Sequence, residues 1–226
     1  RADPTTVDTA PRPVPSPVSA TEIAVRRTRY NVSVKPMLDR LVALVLIVLL
    51  LPVFAVVTIA VVASLGRPVL FRQRRVGLGG RTFAVVKFRT MRPCRRREHL
   101  LWPHEERRRV HKSAHDPRLT PVGQLLRTWS LDELPQLFNV LRGDMSLVGP
   151  RPELVEVVEK YPPHVHHRHA VRPGMTGLWQ VSGRDSGLMC DHPELDLEYV
   201  ERQSWKLDLA ILAKTPYAVL VGQRGE

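Results

Sequence analysis

The sequence of residues 41–65 is LVALVLIVLLLPVFAVVTIAVVASL, and it carries no charged side chain. A helix rises about 1.5 Å per residue and the hydrocarbon core of a bilayer is about 30 Å thick, so the segment is long enough to span a membrane. A buried helix of a soluble protein rarely continues this far without one polar side. The run therefore predicts a membrane helix, from which the rest of the chain is placed.

Pro52 lies in the middle of this run, where it removes a backbone hydrogen bond and kinks the helix. Both flanks are basic: residues 26–40 hold five basic side chains and one acidic one, and residues 67–81 hold five basic ones. Basic flanks prefer the cytoplasmic side of a membrane. The symmetry favours a re-entrant helix that breaks at Pro52 and returns to the same face. A spanning helix with a tolerated kink is the alternative.

The composition describes a basic chain that can build a core. Its 226 residues are 43% hydrophobic and 25% charged, and 34 Lys and Arg against 22 Asp and Glu give a net charge of +12. This bias reflects either a GC-rich coding sequence or a polyanionic partner such as nucleic acid, anionic lipid or a phosphorylated substrate. Cys94 and Cys190 lie too far apart for a CxxC site, which excludes a disulfide scaffold and a cysteine zinc site. We expect free thiols in a reducing cytoplasm.

The remaining patterns predict an α+β chain. Proline density makes residues 1–30 a disordered leader, followed by the membrane helix or re-entrant hairpin of residues 31–66 and a cytoplasmic domain of residues 67–226. Val69–Val76 and Thr82–Thr90 form a predicted β-hairpin around a glycine-rich turn. Helices are expected over residues 121–142 and 194–221. A charged surface stretch, residues 92–112, lies between the hairpin and the first of these helices and contains the arginines Arg95, Arg96, Arg97, Arg107, Arg108 and Arg109. Beside a membrane it could also bind anionic lipid.

Residues 127–153, RTWSLDELPQLFNVLRGDMSLVGPRPE, hold the densest set of polar side chains. One interpretation is structural. Ser130 and Glu133 have the spacing of a capping box, in which the serine caps a helix and the glutamate bonds back to the cap amide. Asp132 then complements the helix dipole. An apolar core face follows at helical spacing, formed by Leu134, Leu137, Phe138 and Leu141.

The other interpretation of the same segment is catalytic. A helix start suits a phosphate because its amides are free and partly positive. Asp132 and Glu133 would diverge by about 100° on a helix, so that one could act as nucleophile or metal ligand and the other as base. Arg127 lies upstream and could neutralise phosphate. Arg151 lies between Pro150 and Pro152, whose fixed φ angles would present it as a rigid phosphate clamp.

Three segments in this order resemble the bacterial sugar transferases, the monotopic phosphoglycosyl transferases. They are KFRTM (87–91), LDELPQLFNVLRGDMSLVGPRPE (131–153) and RPGMTGLWQVSGR (172–184). The resemblance covers roughly residues 39–220. It implies transfer of a sugar 1-phosphate from a UDP-sugar to undecaprenyl phosphate with release of UMP, the first membrane step of exopolysaccharide or other glycan assembly. It also implies a place on the cytoplasmic face of the bacterial inner membrane.

The resemblance further implies roles for particular residues. Asp132 is the nucleophile that forms a phospho-sugar intermediate, Mg²⁺ sits at the acid pair on Asp132, and Glu133 supports proton handling or metal binding. Pro52 breaks the re-entrant helix. The matching substrate contacts are Lys87, Arg127 and Arg151 on phosphate, with Gln180 and Arg184 near the site. Two departures are that Leu51 stands where many relatives have serine, and that the aromatic residues before Leu207 differ. Neither touches the acid pair.

Three further hypotheses belong with this prediction. The first is a membrane-anchored basic binding or scaffold protein without catalysis, although aromatic residues do not interleave with the basic runs as in nucleic-acid binders, so no nucleic acid is expected. The second is an inactive relative, against which the intact acid pair argues. The third concerns a tight group of histidines, which we expect to be a solvated, partly protonated loop rather than a structural metal site. These are His164, His166, His167 and His169. The sugar and a homo-oligomeric state stay open.

Overall fold

The computed structural model describes residues 28–92, 118–182 and 193–221. Most of the predicted leader, Cys94, Cys190, Arg184 and the arginines of residues 95–109 lie outside these ranges. The described elements are α1 (Lys35–Leu49), α2 (Leu51–Leu65), β1 (Leu70–Val76), β2 (Thr82–Phe88), α3 (Pro121–Thr128), α4 (Gln136–Arg142), β3 (Ser146–Val148), α5 (Val155–Val158), β4 (Gly174–Thr176), α6 (Leu178–Ser182), α7 (Pro193–Arg202) and α8 (Trp205–Val221). A π-helical turn (Tyr30–Val34) precedes α1, and 3₁₀ turns cover Leu78–Gly80, Leu131–Glu133 and Pro163–Ala170.

The apolar run folds as two helices rather than one. Leu50 leaves helical geometry at φ −91° and ψ 6°, and α1 and α2 meet there at a bend of 64°. Pro52 lies in the first turn of α2, where its missing amide is not needed and its ring prevents a straight continuation from α1. Within the described residues, neither helix alone has the length and apolar character to cross a membrane. The bent pair reaches that threshold only when both helices are counted together.

The predicted hairpin is confirmed. β1 and β2 pair antiparallel from Leu70 opposite Phe88 to Val76 opposite Thr82. The chain turns through a short 3₁₀ segment in which Gly79 and Gly80 have φ angles of 62° and 75°. Glycine adopts this left-handed region without the penalty that a Cβ atom brings. The hairpin carries Lys87 near the end of β2, toward the acid pair.

The strands β3 and β4 form a short parallel sheet, which the sequence did not predict. Ser146 of β3 pairs with Gly174 of β4, and Val148 with Thr176. The chains approach so closely that a Cβ atom on Gly149 would lie 2.4 Å from the Arg172 carbonyl oxygen. Only glycine fits there. This close approach sets the path of the chain as it leaves β3 toward Arg151.

The two predicted helical regions are helical but broken. Residues 121–142 form α3, a 3₁₀ turn and α4, and residues 193–221 form α7 and α8, with Gln203 and Ser204 between them. The combination of these helices with two small sheets confirms the predicted α+β class.

Both helices of the bent pair bury one side against the rest of the chain. Ala43 and Ile47 of α1 join a buried cluster with Leu137 and Val140 of α4. A second cluster is built by Val57 and Val61 of α2, Phe88 of β2 and Leu126 of α3. The outward sides expose apolar side chains that are each between 54% and 70% accessible, namely Met37, Leu41, Val45, Val48, Leu49, Leu51, Val56 and Ile59.

Candidate active site

Asp132 and Glu133 lie in a 3₁₀ turn between α3 and α4, and the predicted capping box is absent. Ser130 has a left-handed backbone, with φ 53° and ψ 20°, and its side chain makes no capping hydrogen bond. Glu133 does not return to the cap amide because its carboxylate binds two distant cations. The capping-box interpretation was therefore wrong, and the acid pair is held by tertiary contacts.

Glu133 is clamped between Lys87 and Arg151. Its Oε1 atom accepts hydrogen bonds from Lys87 Nζ at 2.8 Å and from Arg151 Nη2 at 2.9 Å. The Glu133 side chain is 15% exposed. Burial on its own raises the pKa of this carboxyl, but the nearby charges of Arg151 and Lys87 outweigh burial and hold the pKa well below its usual range. Glu133 is thus a fixed negative charge that orients two cations.

Asp132 lies beside this cluster and is buried, with 6% of its surface exposed. Both acids affect the pKa of the Arg151 guanidinium. The charge of Glu133 is the main cause of its raised pKa, and the charge of Asp132 raises the pKa more weakly. Both carboxylates are therefore within electrostatic range of one guanidinium. A buried carboxylate close to converging cations has the surroundings that a phosphate-attacking nucleophile needs.

The segment Pro150–Pro152 is fixed by hydrogen bonds to its backbone as well as by its prolines. Gly174 N donates to Pro150 O at 2.9 Å, and Arg168 Nη2 donates to Arg151 O at 2.8 Å. Arg75 Nη1 donates to Pro152 O at 3.2 Å. Arg151 is accordingly presented from a backbone that is bonded at three successive carbonyls.

Two ion pairs behind this segment were missed by the sequence interpretation. Arg168 pairs with Asp196 at 2.5 Å, and both side chains are almost fully buried. Arg75 pairs with the buried Glu153 at 3.6 Å. Burial lowers the pKa of Arg75 to about 10, with Glu153 opposing the shift. In the sequence, Arg168 and Asp196 look like ordinary surface residues. Only the position of Glu153 directly after Pro152 could have indicated a buried ion pair here.

Two other predicted site residues, Arg127 and Gln180, lie in α3 and α6. Arg127 lies in the last turn of α3 and its Nε donates to Thr90 Oγ1 at 3.1 Å, three residues after Lys87. Gln180 in α6 is 8% exposed, and neither its amide oxygen nor its amide nitrogen has a hydrogen-bond partner in the described part of the chain. A Cβ atom on Gly177 would lie 2.8 Å from Gln180 Oε1 and 2.3 Å from the Gly149 carbonyl oxygen, so that only glycine fits beside this side chain. Arg184 lies outside the described residues.

A magnesium ion would have few protein ligands here. Over residues 28–92, 118–182 and 193–221, no group of three or more His, Cys, Asp or Glu side chains could hold a metal. Glu133 is already neutralised by two cations, which leaves Asp132 as the carboxylate donor. This set fits Mg²⁺, which commonly binds proteins through one or two carboxylates and takes its other ligands from substrate phosphates and water.

The histidine group is folded rather than a solvated loop. Residues 163–170 form a 3₁₀ turn in which Val165, Arg168 and His169 are buried. Burial, aided by the Arg168 charge, lowers the pKa of His169 to about 3, so this ring is neutral. The prediction of a solvated, partly protonated loop was wrong for His169. Among the described residues these histidines do not form a metal cluster either.

Comparison with known proteins shows that the chain is similar to a family model and to several relatives of that family. A family model described as bacterial sugar transferase matches residues 30–222. The exopolysaccharide production protein ExoY of Sinorhizobium fredii is 39% identical over 193 residues, which are 82% of this chain and 84% of that protein. A UDP-glucose:undecaprenyl-phosphate glucose-1-phosphate transferase of Xanthomonas campestris pv. campestris is 39% identical over 210 residues, 88% of this chain but 41% of that protein. An undecaprenyl-phosphate galactose phosphotransferase of Salmonella typhimurium is 42% identical over 169 residues, 69% of this chain and 34% of that protein.

Proposed function

The chain belongs to the bacterial sugar transferase family, and on this basis we propose that it transfers a sugar 1-phosphate from a UDP-sugar to undecaprenyl phosphate and releases UMP. Two of the relatives are named as transferases of this kind, one for glucose 1-phosphate and one for galactose phosphate. The observation that carries the proposal is the buried Asp132 beside Glu133, with Lys87 and Arg151 converging on Glu133. The product would serve as the first lipid-linked sugar of an exopolysaccharide or related glycan.

Asp132 is the nucleophile in this proposal. A carboxylate oxygen forms a bond to the β-phosphorus of the UDP-sugar, and the bond from that phosphorus to the oxygen bridging the two phosphates breaks. UMP leaves with the electron pair. A phosphate oxygen of undecaprenyl phosphate then attacks the same phosphorus, and the bond to Asp132 breaks. The aspartate is regenerated as a carboxylate, so the two displacements balance without a net proton transfer. Aspartyl phosphates serve the same purpose in other phosphoryl-transfer enzymes.

The remaining residues supply positioning and charge. With its lowered pKa, Glu133 serves as a fixed anion that holds Lys87 and Arg151 in place, which supports orientation more than proton handling. Because these two cations are already in position, little free energy is lost to reorganisation when negative charge develops on the phosphate. Arg127 and Gln180 line the approach in this proposal. Mg²⁺, if bound by Asp132 and the diphosphate, would spread the negative charge of the donor.

The apolar faces of α1 and α2 support a place at the membrane. Undecaprenyl phosphate cannot leave a bilayer cheaply, because each CH₂ brought into water costs about 0.8 kcal/mol. A re-entrant pair bent at Leu50 and Pro52 would enter the bilayer and return to the same face, consistent with the basic flanks. We place the catalytic domain on the cytoplasmic face of the bacterial cytoplasmic membrane, where anionic lipid attracts the basic residues around the helices.

Nucleotide release tests this proposal directly. The protein in nanodiscs would receive Mg²⁺, undecaprenyl phosphate and a panel of UDP-sugars, and the nucleotide product would be identified by chromatography. UMP from one donor, absent in Asp132→Asn and retained in the control variant Asp144→Asn, is the expected result. UDP as product would mean transfer of the bare sugar. Substantial turnover by Asp132→Asn would remove this residue from the nucleophile role, and no nucleotide from any donor would favour a binding or scaffold protein.

A further inference from the structure

A buried polar cluster joins α1, the first helix of the bent pair α1–α2, which we call the membrane hairpin in this proposal, to the rest of the chain. Lys35, at the start of α1, is 5% exposed. Its Nζ atom lies 2.7 Å from Asp208 Oδ2 and 3.4 Å from Asp39 Oδ2. Asp208 belongs to α8, at the other end of the chain. We call the following six residues the anchor cluster: Tyr30, Lys35, Asp39, Ser146, Tyr199 and Asp208.

Three hydroxyl groups complete the hydrogen bonds of the two carboxylates. Tyr30 donates to Asp208 Oδ2 at 2.6 Å, and Tyr199 donates to Asp208 Oδ1 at 2.7 Å. The Ser146 hydroxyl donates to Asp39 Oδ2 at 2.5 Å. Apolar side chains can often replace a buried ion pair without loss of stability, whereas hydrogen-bonded charges fix one arrangement of the elements that carry them. The hydrogen bonds of the anchor cluster therefore fix the orientation of α1 relative to β3 and α8, beyond any contribution to stability.

The elements that meet in the anchor cluster also carry the site. Ser146 begins β3, which leads within five residues to Arg151. On the neighbouring turns of α1, Ala43 and Ile47 pack against Leu137 and Val140 of α4, the helix that follows the acid pair. A change in the tilt or rotation of α1 would thus act on both sides of the site. The apolar contacts of α1 can slide, but the hydrogen bonds of the cluster hold only in one register.

We propose that the Lys35–Asp208 pair, with its hydroxyl partners, is a positioning device that fixes the membrane hairpin relative to the catalytic domain, so that the phosphate of a membrane-embedded acceptor meets the site. This rests on the proposed function, because it assumes a lipid-linked phosphate acceptor. Lys35 and Asp208 do not touch substrate in this proposal. They act through the position of α1, and their loss should matter only for acceptors whose approach the bilayer constrains.

Two acceptors separate this role from a merely structural one. Undecaprenyl phosphate in nanodiscs must reach the site from the bilayer, whereas a short, water-soluble prenyl phosphate reaches it from solution. We expect Lys35→Met to lower kcat/KM for undecaprenyl phosphate by about 10²-fold, as a misplacement of about 1 Å does in other enzymes, while kcat/KM for the short acceptor changes by less than about threefold. Lys160→Met, at an exposed lysine outside the cluster, is the matched control and should resemble wild type with both acceptors.

Two gentler substitutions keep the proposal testable if Lys35→Met does not fold. Tyr30→Phe removes one hydroxyl and should shift the same ratio of acceptors in the same direction by a smaller factor. Lys35→Arg retains the charge and should restore most of the activity with undecaprenyl phosphate. Equal losses with both acceptors in folded variants, or no loss with either, would overturn the proposal. If wild type itself releases no UMP with either acceptor, the proposed function fails instead, and the two failures are distinguished.

Discussion

Replacing Glu133 with Gln removes one negative charge from between two cations. The side chains of Lys87 and Arg151 are 21% and 24% exposed, and both bind the same Glu133 oxygen. A glutamine at this position keeps the size and a hydrogen-bonding oxygen, so the substitution tests charge rather than packing. Lys87 and Arg151 would be left facing one another without the anion that neutralises them.

The cost follows from the distances. Two unit charges 2.8 Å apart attract by about 6 kcal/mol at an effective dielectric constant of 20. Desolvation offsets much of this, and breaking a buried pair from one side costs about 3–5 kcal/mol. Since all three side chains retain some solvent contact, we expect the lower end, about 3 kcal/mol. For a chain of this length that corresponds to a fall in Tm of about 6–12 °C.

Thermal unfolding as a function of pH gives the assay. A carboxyl whose pKa is lowered by folding contributes stability above its unfolded pKa of about 4.3, and this contribution is lost as pH falls toward the folded pKa. The Tm difference between wild type and Glu133→Gln should therefore be constant from about pH 8 to about pH 5.5, should begin to narrow near the unfolded pKa of about 4.3 and should continue to narrow as the pH falls further. Glu159→Gln, at an exposed residue, is the control and should leave Tm unchanged.

A Glu133→Gln protein that melts within about 2 °C of wild type at pH 7 would refute the reasoning. So would a difference that grows as the solution becomes more acidic, because the carboxylate would then be stabilised by protonation rather than by its cations. A double substitution adds a further check. Lys87→Met should cost less on the Glu133→Gln background than in wild type, since the ion pair it breaks is already absent.

Two further predictions concern the histidine group and the bent helix pair α1–α2. In urea titrations, the free energy of unfolding of wild type should fall between pH 7 and pH 5 by about 2 kcal/mol more than that of His169→Gln. The reason is that a buried neutral histidine cannot take the proton that the unfolded chain binds below about pH 6.5. An equal fall in both proteins would contradict the burial of His169 as a neutral ring. Tags placed at residues 1 and 226 should show the same protease protection in inverted vesicles, and Pro52→Ala should increase the fraction with opposite protection, because a straight helix of this length can span a bilayer. Opposite protection in wild type would establish a spanning helix.

Features that depend on neighbouring residues were predictable from the sequence. The hairpin needs only two β-rich segments and the glycines that turn the chain with positive φ, Gly79 and Gly80. The bend needs only Pro52, whose ring excludes a straight helix. The helices of residues 193–221 follow from apolar spacing. In each case the physical cause lies within a few residues of its effect.

Features that depend on distant partners were not predictable from local patterns. Glu133 has a perfect capping-box spacing, yet its partners lie 46 and 18 residues away, and two cations outweigh one amide. β3 and β4 have three residues each, too few to show a period. Tyr30 and Asp208 are 178 residues apart. The resemblance to a family gave Lys87 and Arg151 their place near the acid pair, and no periodicity would have done so.

The different surroundings of two adjacent acids follow from the turn that holds them. Successive side chains in a 3₁₀ turn point about 120° apart, since three residues complete a turn. Glu133 thereby points at Lys87 and Arg151 and forms ion pairs with both. Asp132, the preceding residue, projects in a different direction from the same turn and is buried. Had this segment been the regular helix start that the capping box predicts, Glu133 would have folded back on its own backbone and the cations would lack an anchor. In the proposed function, this irregular turn, with Ser130 in a left-handed conformation, separates the positioning carboxylate Glu133 from the nucleophile Asp132.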